Sequence, residues 1–294
     1  MTASAQIFVT RTPAAAGELI DELLEGVGKS LLSSSSGAIE LLCVPLHEAE
    51  LIPQNAREVA RELLRQSLKG QFDAVTFTSR NGVRAFEQLI ASQALPFPSE
   101  TLIAAVGQGT AAELKKLGIT ANFIPDIQDA QHMIQQWPAS AGLNQRILCV
   151  QGANARPTLR EGLKALGHRV DVATVYQMRD FPAESALVQG SKSYGEYEPL
   201  SLNQAFEVAQ GRTSADNSTA RILIATAPSL LRAFYQGWVT SPQGSRENFP
   251  HLIAIGKSTA LQAVELGLTA TVPASPAASD LATAACDTLL HLTR

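Results

Sequence analysis

The chain has 294 residues, 45% of them hydrophobic and 17% charged, which supplies apolar material for two domains of ordinary size and excludes extended disorder. Its net charge of −4 argues against a protein whose main task is to hold a nucleic-acid backbone, since that calls for an excess of Lys and Arg. An anionic small molecule stays open as a ligand, because helix N-termini bind anions without side-chain charge.

The strands expected in chain order are Ile7 to Thr10, Ala74 to Thr78, Leu102 to Val106, Ala121 to Ile124, Ile147 to Val150, Ile222 to Ala225, Leu252 to Ile255 and Ala270 to Val272. Each precedes a segment with apolar residues at helical spacing, such as Val83, Phe86, Leu89 and Ile90. This alternation predicts βαβ units and parallel sheets covered by helices on both faces. The three cysteines, Cys43, Cys149 and Cys286, are odd in number and far apart, so they read as reduced core thiols and not as a metal knuckle. No secretory signal opens the chain, and no apolar run reaches the ~18 residues that span a bilayer. The expectation is a soluble, cytoplasmic protein with no membrane partner.

Two segments recur. "VTFTSRNGVRAF" (75–86) resembles "LIATAPSLLRAF" (223–234), and "IAAVGQGTAAELKKLGITANFIP" (103–125) resembles "LIAIGKSTALQAVELGLTATVP" (252–273), at an offset of 148 or 149 residues. Order and spacing are kept, which implies two similar domains. Two extended stretches, 39–51 and 169–181, punctuate the pattern. If they lie side by side as a two-stranded β connector, residues 1–38 and 182–294 form one discontinuous α/β domain and residues 52–168 an inserted one. The polar stretches 190–199 and 211–220 read as surface loops.

Gly256-Lys257-Ser258-Thr259 has the last letters of a phosphate-binding loop. The glycine such a loop needs five residues earlier is His251, and an apolar run lies between. The first copy reads Gly107-Gln108-Gly109-Thr110, so the lysine is dispensable to the pattern. That copy also fails as a dinucleotide fingerprint, because its third glycine would be Ala112 and no carboxylate ends the next strand. What remains is a strand, a sharp glycine turn, and a helix whose first N–H groups Thr110 and Thr259 could cap. Ser79 and Asn81, and Ser229 in the other copy, likewise open helices after strands. Simple N-capping and anion binding both fit such residues, and four such ends would gather at the carboxyl edges of parallel sheets, where α/β folds bind ligands. The five histidines show no metal-ligand spacing, and there is no Gly-x-Ser-x-Gly elbow. No metal and no cofactor are expected. Tyr176 lies on the second extended stretch; packing explains most strand tyrosines, while a phenol, protonated at neutral pH, can also donate a proton.

Taken in order, Thr10-Arg11, "FTSRNGVRAF", "AAVGQGTAAEL", "ILCVQGANARPTLREGLKALGHRVDVATVYQ" (147–177) and "IAIGKSTALQAVELG" with "VPASPAASDLATA" resemble the uroporphyrinogen-III synthase family. The resemblance implies two flavodoxin-like parallel-sheet domains joined by a two-stranded β connector. It also implies a monomeric, cofactor-free lyase that closes the linear tetrapyrrole hydroxymethylbilane to uroporphyrinogen III, with loss of water and inversion of the last pyrrole ring. By the same resemblance Tyr176 would be the general acid. Arg11, Ser79, Asn81, Gly107, Gly109, Thr110, Gly152, Arg156, Ser229, Gly256, Ser258 and Thr259 would contact a substrate rich in carboxylates. For Arg11 and Arg156 a surface salt bridge fits equally well. Ala227 stands where the family often has serine, which leaves Ser229 or backbone for any contact there. Two other readings stay open: a non-catalytic two-domain binding protein for an anionic ligand, and a nucleotide-dependent enzyme using Gly256-Lys257-Ser258.

Overall fold

The computed structural model describes residues 5–31, 39–90, 97–138, 142–187, 195–211, 219–242 and 244–292. The Ser-rich tract at 33–36 and most of the loops at 190–199 and 211–220 lie outside them. In chain order the elements are β1 (Ala5–Val9), α1 (Pro13–Leu31), β2 (Ile39–Cys43), β3 (His47–Leu51), α2 (Gln54–Leu68), β4 (Ala74–Phe77), α3 (Arg80–Ile90), β5 (Leu102–Ala105), α4 (Gln108–Lys116) and α5 (Ala130–Gln135). They continue with β6 (Arg146–Gly152), α6 (Thr158–Ala165), β7 (Arg169–Asp180), α7 (Leu202–Gly211), β8 (Ala220–Ala225), α8 (Pro228–Thr240), β9 (His251–Ala254), α9 (Lys257–Glu265), β10 (Ala270–Thr271) and α10 (Ala278–Leu292).

The chain divides into two compact units, one of residues 1–47 and 189–294, the other of residues 48–188. The first unit's sheet has the order β10-β9-β8-β1-β2, and its strand pairs are parallel. Numbered within the unit this is the doubly wound order 2-1-3-4-5 of flavodoxin-like folds, with its topological switch between β1 and β8. The second sheet has the order β3-β7-β6-β4-β5. Here β6, α6 and β7 stand beside β4 as β1, α1 and β2 stand beside β8, yet they follow β4 and β5 in sequence. The second unit is thus a circular permutation of the first, with its switch between β4 and β6 and with β3 added at the edge.

The repeat seen in sequence is the shared part, β4-α3-β5-α4 against β8-α8-β9-α9. Its cross-links are shared too. Arg84 of α3 donates to Glu113 of α4 at 2.8 Å, and Arg232 of α8 donates to Gln262 of α9 at 2.6 Å. Both copies end their second helix on Leu-Gly: Gly118 and Gly267 have φ of 75° and 68°, a left-handed conformation that costs glycine nothing. The next amides return to Leu114 and Ala263 at 3.1 and 2.8 Å, closing the helix ends.

Strands such as β1 and β4 are buried along their whole length, as sheets covered on both faces require. Phe8 meets Phe234 and Trp238 edge-to-face at 5.5 and 6.3 Å in the first unit, and Phe77 meets Phe86 at 5.4 Å in the second. Such pairs contribute about 0.5–1.5 kcal/mol each beyond their buried area. The three cysteines are free and buried. Burial pushes the Cys43 thiol up to about 12 and that of Cys149 to about 11, so neither supplies a thiolate nucleophile.

Two expectations change. Ala121 to Ile124 is no regular strand: a single parallel bridge joins Phe123 to Ala104. The Asn122 side chain takes the Ile103 amide at 3.0 Å and Pro125 follows, so the ladder stops there. The stretch 39–51 is broken at Val44–Leu46; β2 joins the first sheet, while β3 lies beside β7 in the second. The β3–β7 pair is held by Glu50, which accepts from Gln177 and from Arg179, both at 2.9 Å. Burial opposes the Glu50 charge, but these donors prevail and hold its carboxyl below the usual range.

Candidate active site

In the second unit the switch between β4 and β6 brings three sequence-distant segments together. Thr78 follows β4 directly, donating its amide to the Val150 carbonyl of β6 at 3.4 Å. Ser79 follows as the residue that caps α3: its Oγ accepts the Gly82 amide at 3.0 Å, the usual reach of a serine N-cap to the third helical residue. Gly152 ends β6. Opposite it on β7 stands Tyr176, because the register slips by one residue between Gln151 and Gly152 and leaves Val175 without a counterpart on β6. A bulge of this kind re-aims the side chain that follows it.

The phenol oxygen of Tyr176 lies 3.0 Å from Ser79 Oγ. Its ring rests on the backbone of Gly152, where a Cβ would fall 2.7 Å from the ring's Cζ. A glycine is required there by that close approach and by nothing in its φ. The arrangement is an aromatic proton donor, half-buried, locked between a strand end and a helix N-terminus at the carboxyl edge where doubly wound sheets bind ligands.

The neighbouring α4 begins at the same edge. Gly107 is its N-cap, in extended conformation, and the Gln108 amide donates to Gln128 Oε1 at 2.9 Å. The glutamine side chain therefore occupies the first N–H of a helix end expected to face a ligand. Arg80, exposed, crosses the first turn of α4: a Cβ on Gly109 would meet its Cδ at 3.7 Å. A cation beside a positive helix end favours an anion between them. Arg80 lies inside the repeat, opposite Pro228 of the other copy, and it is the fold that places it against α4. Asn81 is half-buried in the first turn of α3, and Arg156 is exposed after β6.

The first unit carries its own switch edge between β1 and β8. Thr10 is buried, accepts the Thr226 amide at 3.3 Å, and lies 3.2 Å from the Thr226 hydroxyl. Arg11 follows it, exposed. Ser229 is exposed in the first turn of α8, which begins with Ala227 as N-cap and Pro228. Gly256 is the N-cap of α9 with open space where a Cβ would stand, and Ser258 is exposed beside it.

Thr110 and Thr259 differ from expectation. Neither caps its helix, for the glycines Gly107 and Gly256 do. Each is the third helical residue, turned inward and buried, Thr259 completely and with no hydrogen-bond partner for its hydroxyl among the described residues. A first-turn position read from sequence gives no azimuth, and the azimuth decides between ligand and core. Among the described residues no group of three or more His, Cys, Asp or Glu side chains could hold a metal ion, and no helix is long and apolar enough to cross a membrane. A cavity of about 440 Å³ lies at the opposite, amino end of β9 and β10, lined by Arg246, His251, Thr269 and their neighbours.

The family model of uroporphyrinogen-III synthase HemD matches residues 31–283. A porphyrin biosynthesis protein HemD of Ruminiclostridium josui is 26% identical over 206 residues, which cover 69% of this chain and 38% of that longer protein. The chain thus spans about two fifths of that relative's length. A putative uroporphyrinogen-III synthase of Methanothermobacter thermautotrophicus is also 26% identical, over 84% of this chain and 95% of its own. Solved structures agree in fold. A mutant uroporphyrinogen III synthase of Thermus thermophilus superposes with a TM-score of 0.56 at 16% identity, covering 98% and 99% of the two chains. The Helicobacter pylori enzyme gives 0.52 at 18% identity over 99% and 100%. With a family model that matches residues 31–283 and so reaches into both units, this chain belongs to the uroporphyrinogen-III synthase family, enzymes of the lyase class in heme biosynthesis.

Proposed function

We propose that this chain converts hydroxymethylbilane to uroporphyrinogen III, with Tyr176 as the acid that starts the reaction. The observation that carries the reading is the Tyr176 phenol held at a sheet's switch point, 3.0 Å from Ser79 and flat on Gly152. The phenol passes its proton to the terminal hydroxyl of the substrate, the C–O bond breaks, and water leaves. The resulting azafulvenium carbon bonds to the substituted carbon of the last pyrrole. The spiro species fragments and recloses with that ring inverted, and the ring proton lost in restoring aromaticity returns to the phenolate. One water is released and no oxidant or reductant is consumed.

Because the free substrate closes by itself to the uninverted isomer, the protein's contribution is to hold the chain so that the inverted path is faster. The groups suited to carboxylates are Arg80 over the start of α4, the open N-terminus of α9 at Gly256 and Ser258, and exposed Arg11, Arg156 and Ser229. Asn81 adds a donor in the first turn of α3 and Gly109 brings backbone under Arg80. Thr110 and Thr259 support these turns from below. Gly107, occupied by Gln128, binds only if that glutamine moves.

The test is an isomer-resolved product assay on the wild type and on Tyr176→Phe. The reading expects uroporphyrinogen III from the wild type and about 10²–10⁴ fold less turnover from the variant, the usual worth of a general acid. A wild type that gives only the uninverted isomer would overturn the activity, and a Tyr176→Phe enzyme at full rate would overturn the acid. The non-catalytic binding protein is the reading the first outcome would favour.

A further inference from the structure

The family resemblance implies that Ser79 touches substrate, and a different role follows from its bonds. Its Oγ offers one proton and two lone pairs. The Gly82 amide fills one lone pair at 3.0 Å, which leaves the proton for the other polar atom placed on it among the described residues, the Tyr176 phenol oxygen at 3.0 Å. We propose that Ser79 is a positioning residue: it donates to the Tyr176 oxygen, so that the chain Gly82 N–H, Ser79 O–H, Tyr176 O–H runs in one direction and ends on the substrate's departing hydroxyl.

The direction matters because hydrogen bonds aligned head to tail polarise one another. The chain starts at the N-terminus of α3, an 11-residue helix whose partial positive charge faces its head. As the phenol gives up its proton, the charge that develops on its oxygen meets a hydroxyl donor already turned toward it, at no cost in reorganisation. Ser79 keeps its own proton throughout; the proton that travels is the phenol's, and it leaves in the water. The opposite orientation, phenol donating to serine, would tie up the proton the reaction needs. Gly152 completes the device by holding the ring face, so the phenol oxygen has one position, and Arg80 and Asn81 lie one and two residues from the serine without bonding to it among the described contacts.

This inference rests on the acid role of Tyr176 and is tested so that the two can fail separately. The variants are Ser79→Ala, Ser79→Thr and Tyr176→Phe, with the double variant of Ser79→Ala and Tyr176→Phe, assayed for uroporphyrinogen III and by the Cζ resonance of Tyr176 in protein carrying labelled tyrosine. The chain has four tyrosines, and Tyr176→Phe identifies the signal by its loss. Ser79→Ala should lower kcat about 10-fold, the effect of about 1.4 kcal/mol of lost transition-state stabilisation, with KM within about twofold. Ser79→Thr should restore most of kcat, and the Tyr176 resonance should move in Ser79→Ala and return in Ser79→Thr. In the Tyr176→Phe background Ser79→Ala should cost nothing further. An equal loss in both backgrounds, or a rise in KM alone, would make Ser79 a substrate contact and overturn the inference while leaving the acid role intact. An unmoved resonance in Ser79→Ala would overturn it even in an enzyme too slow to assay.

Discussion

Gly152→Ala should damage this enzyme out of proportion to one methyl group. A Cβ there would stand 2.7 Å from Tyr176 Cζ and 3.0 Å from both Cε atoms, whereas carbons rest about 3.5–4.0 Å apart. The ring must therefore lift by about 1 Å, which bends and lengthens the 3.0 Å bond to Ser79 away from its best geometry and moves the acid off its position. Two consequences follow, and they are separable. Overpacking costs about 1–3 kcal/mol of stability, against which the alanine's stiffer unfolded chain returns about 0.4–1 kcal/mol. The displaced acid costs on the order of 10²-fold in kcat. The chain's two tryptophans, Trp137 and Trp238, fall one in each unit, so urea unfolding of a Trp238→Phe background, followed by Trp137 fluorescence, reads residues 48–188 alone. Repeating Gly152→Ala with Tyr176→Ala removes the ring that the methyl strikes, and the stability loss should vanish. If the loss persists without the ring, or if Gly152→Ala makes uroporphyrinogen III at the wild-type rate, the steric argument is wrong.

Two further expectations concern groups away from the acid. His168 is buried, its Nδ1 accepts the Gln145 amide at 3.3 Å, and its ring lies 6.2 Å from that of Trp137. Burial holds its pKa below the ordinary value, so the unfolded chain binds a proton that the folded one refuses. Stability is complete above the unfolded value of about 6.5 and falls as pH drops below it toward the folded value. In the same Trp238→Phe background the unfolding midpoint reported by Trp137 should decline over that window, and His168→Asn, whose amide oxygen can take the same N–H, should flatten the decline; an unchanged slope would refute the assignment. Lys257 is exposed at the first position of α9, where the helix dipole disfavours a cation. Lys257→Ala should leave kcat and KM within about twofold and stabilise by about 0.3 kcal/mol, and Mg-ATP should not raise the melting temperature. Loss of activity in Lys257→Ala would restore the nucleotide reading.

Much of the fold was legible because it lies in local pattern. Buried strands announce themselves as short apolar runs, and the Leu-Gly helix ends and the Gly-x-x-Thr turns repeat at one offset, so β4-α3-β5-α4 and its copy could be drawn from residues alone. Strand order could not. Whether β6 and β7 precede or follow β4 and β5 leaves the same sheet, and only pairing shows the permutation. At the site, Tyr176 stood out by its family likeness, while its bond to Ser79 depends on a bulge at Val175 that no spacing records. The threonines were misplaced for a related reason, since capping and core positions of a first turn differ by about 100° of rotation per residue. Gln128 and Arg80 come from loops and helix starts that tertiary contacts alone bring to α4.

The edge strand β3 has a consequence for the order in which the chain assembles. Glu50 bridges to Ala186, and the Leu187 amide donates to the Ala49 carbonyl at 2.8 Å, so the two ends of the second unit are tied together. The first unit's central pair, β1 with β8, joins residues 214 apart, as from Thr10 to Ile224. When residues 48–188 have folded, that span behaves as a loop of roughly 70 residues, and closing it costs about 1 kcal/mol less. A folded inserted unit thus eases the folding of its host: its two ends already lie side by side, and the discontinuous sheet has a shorter loop to close.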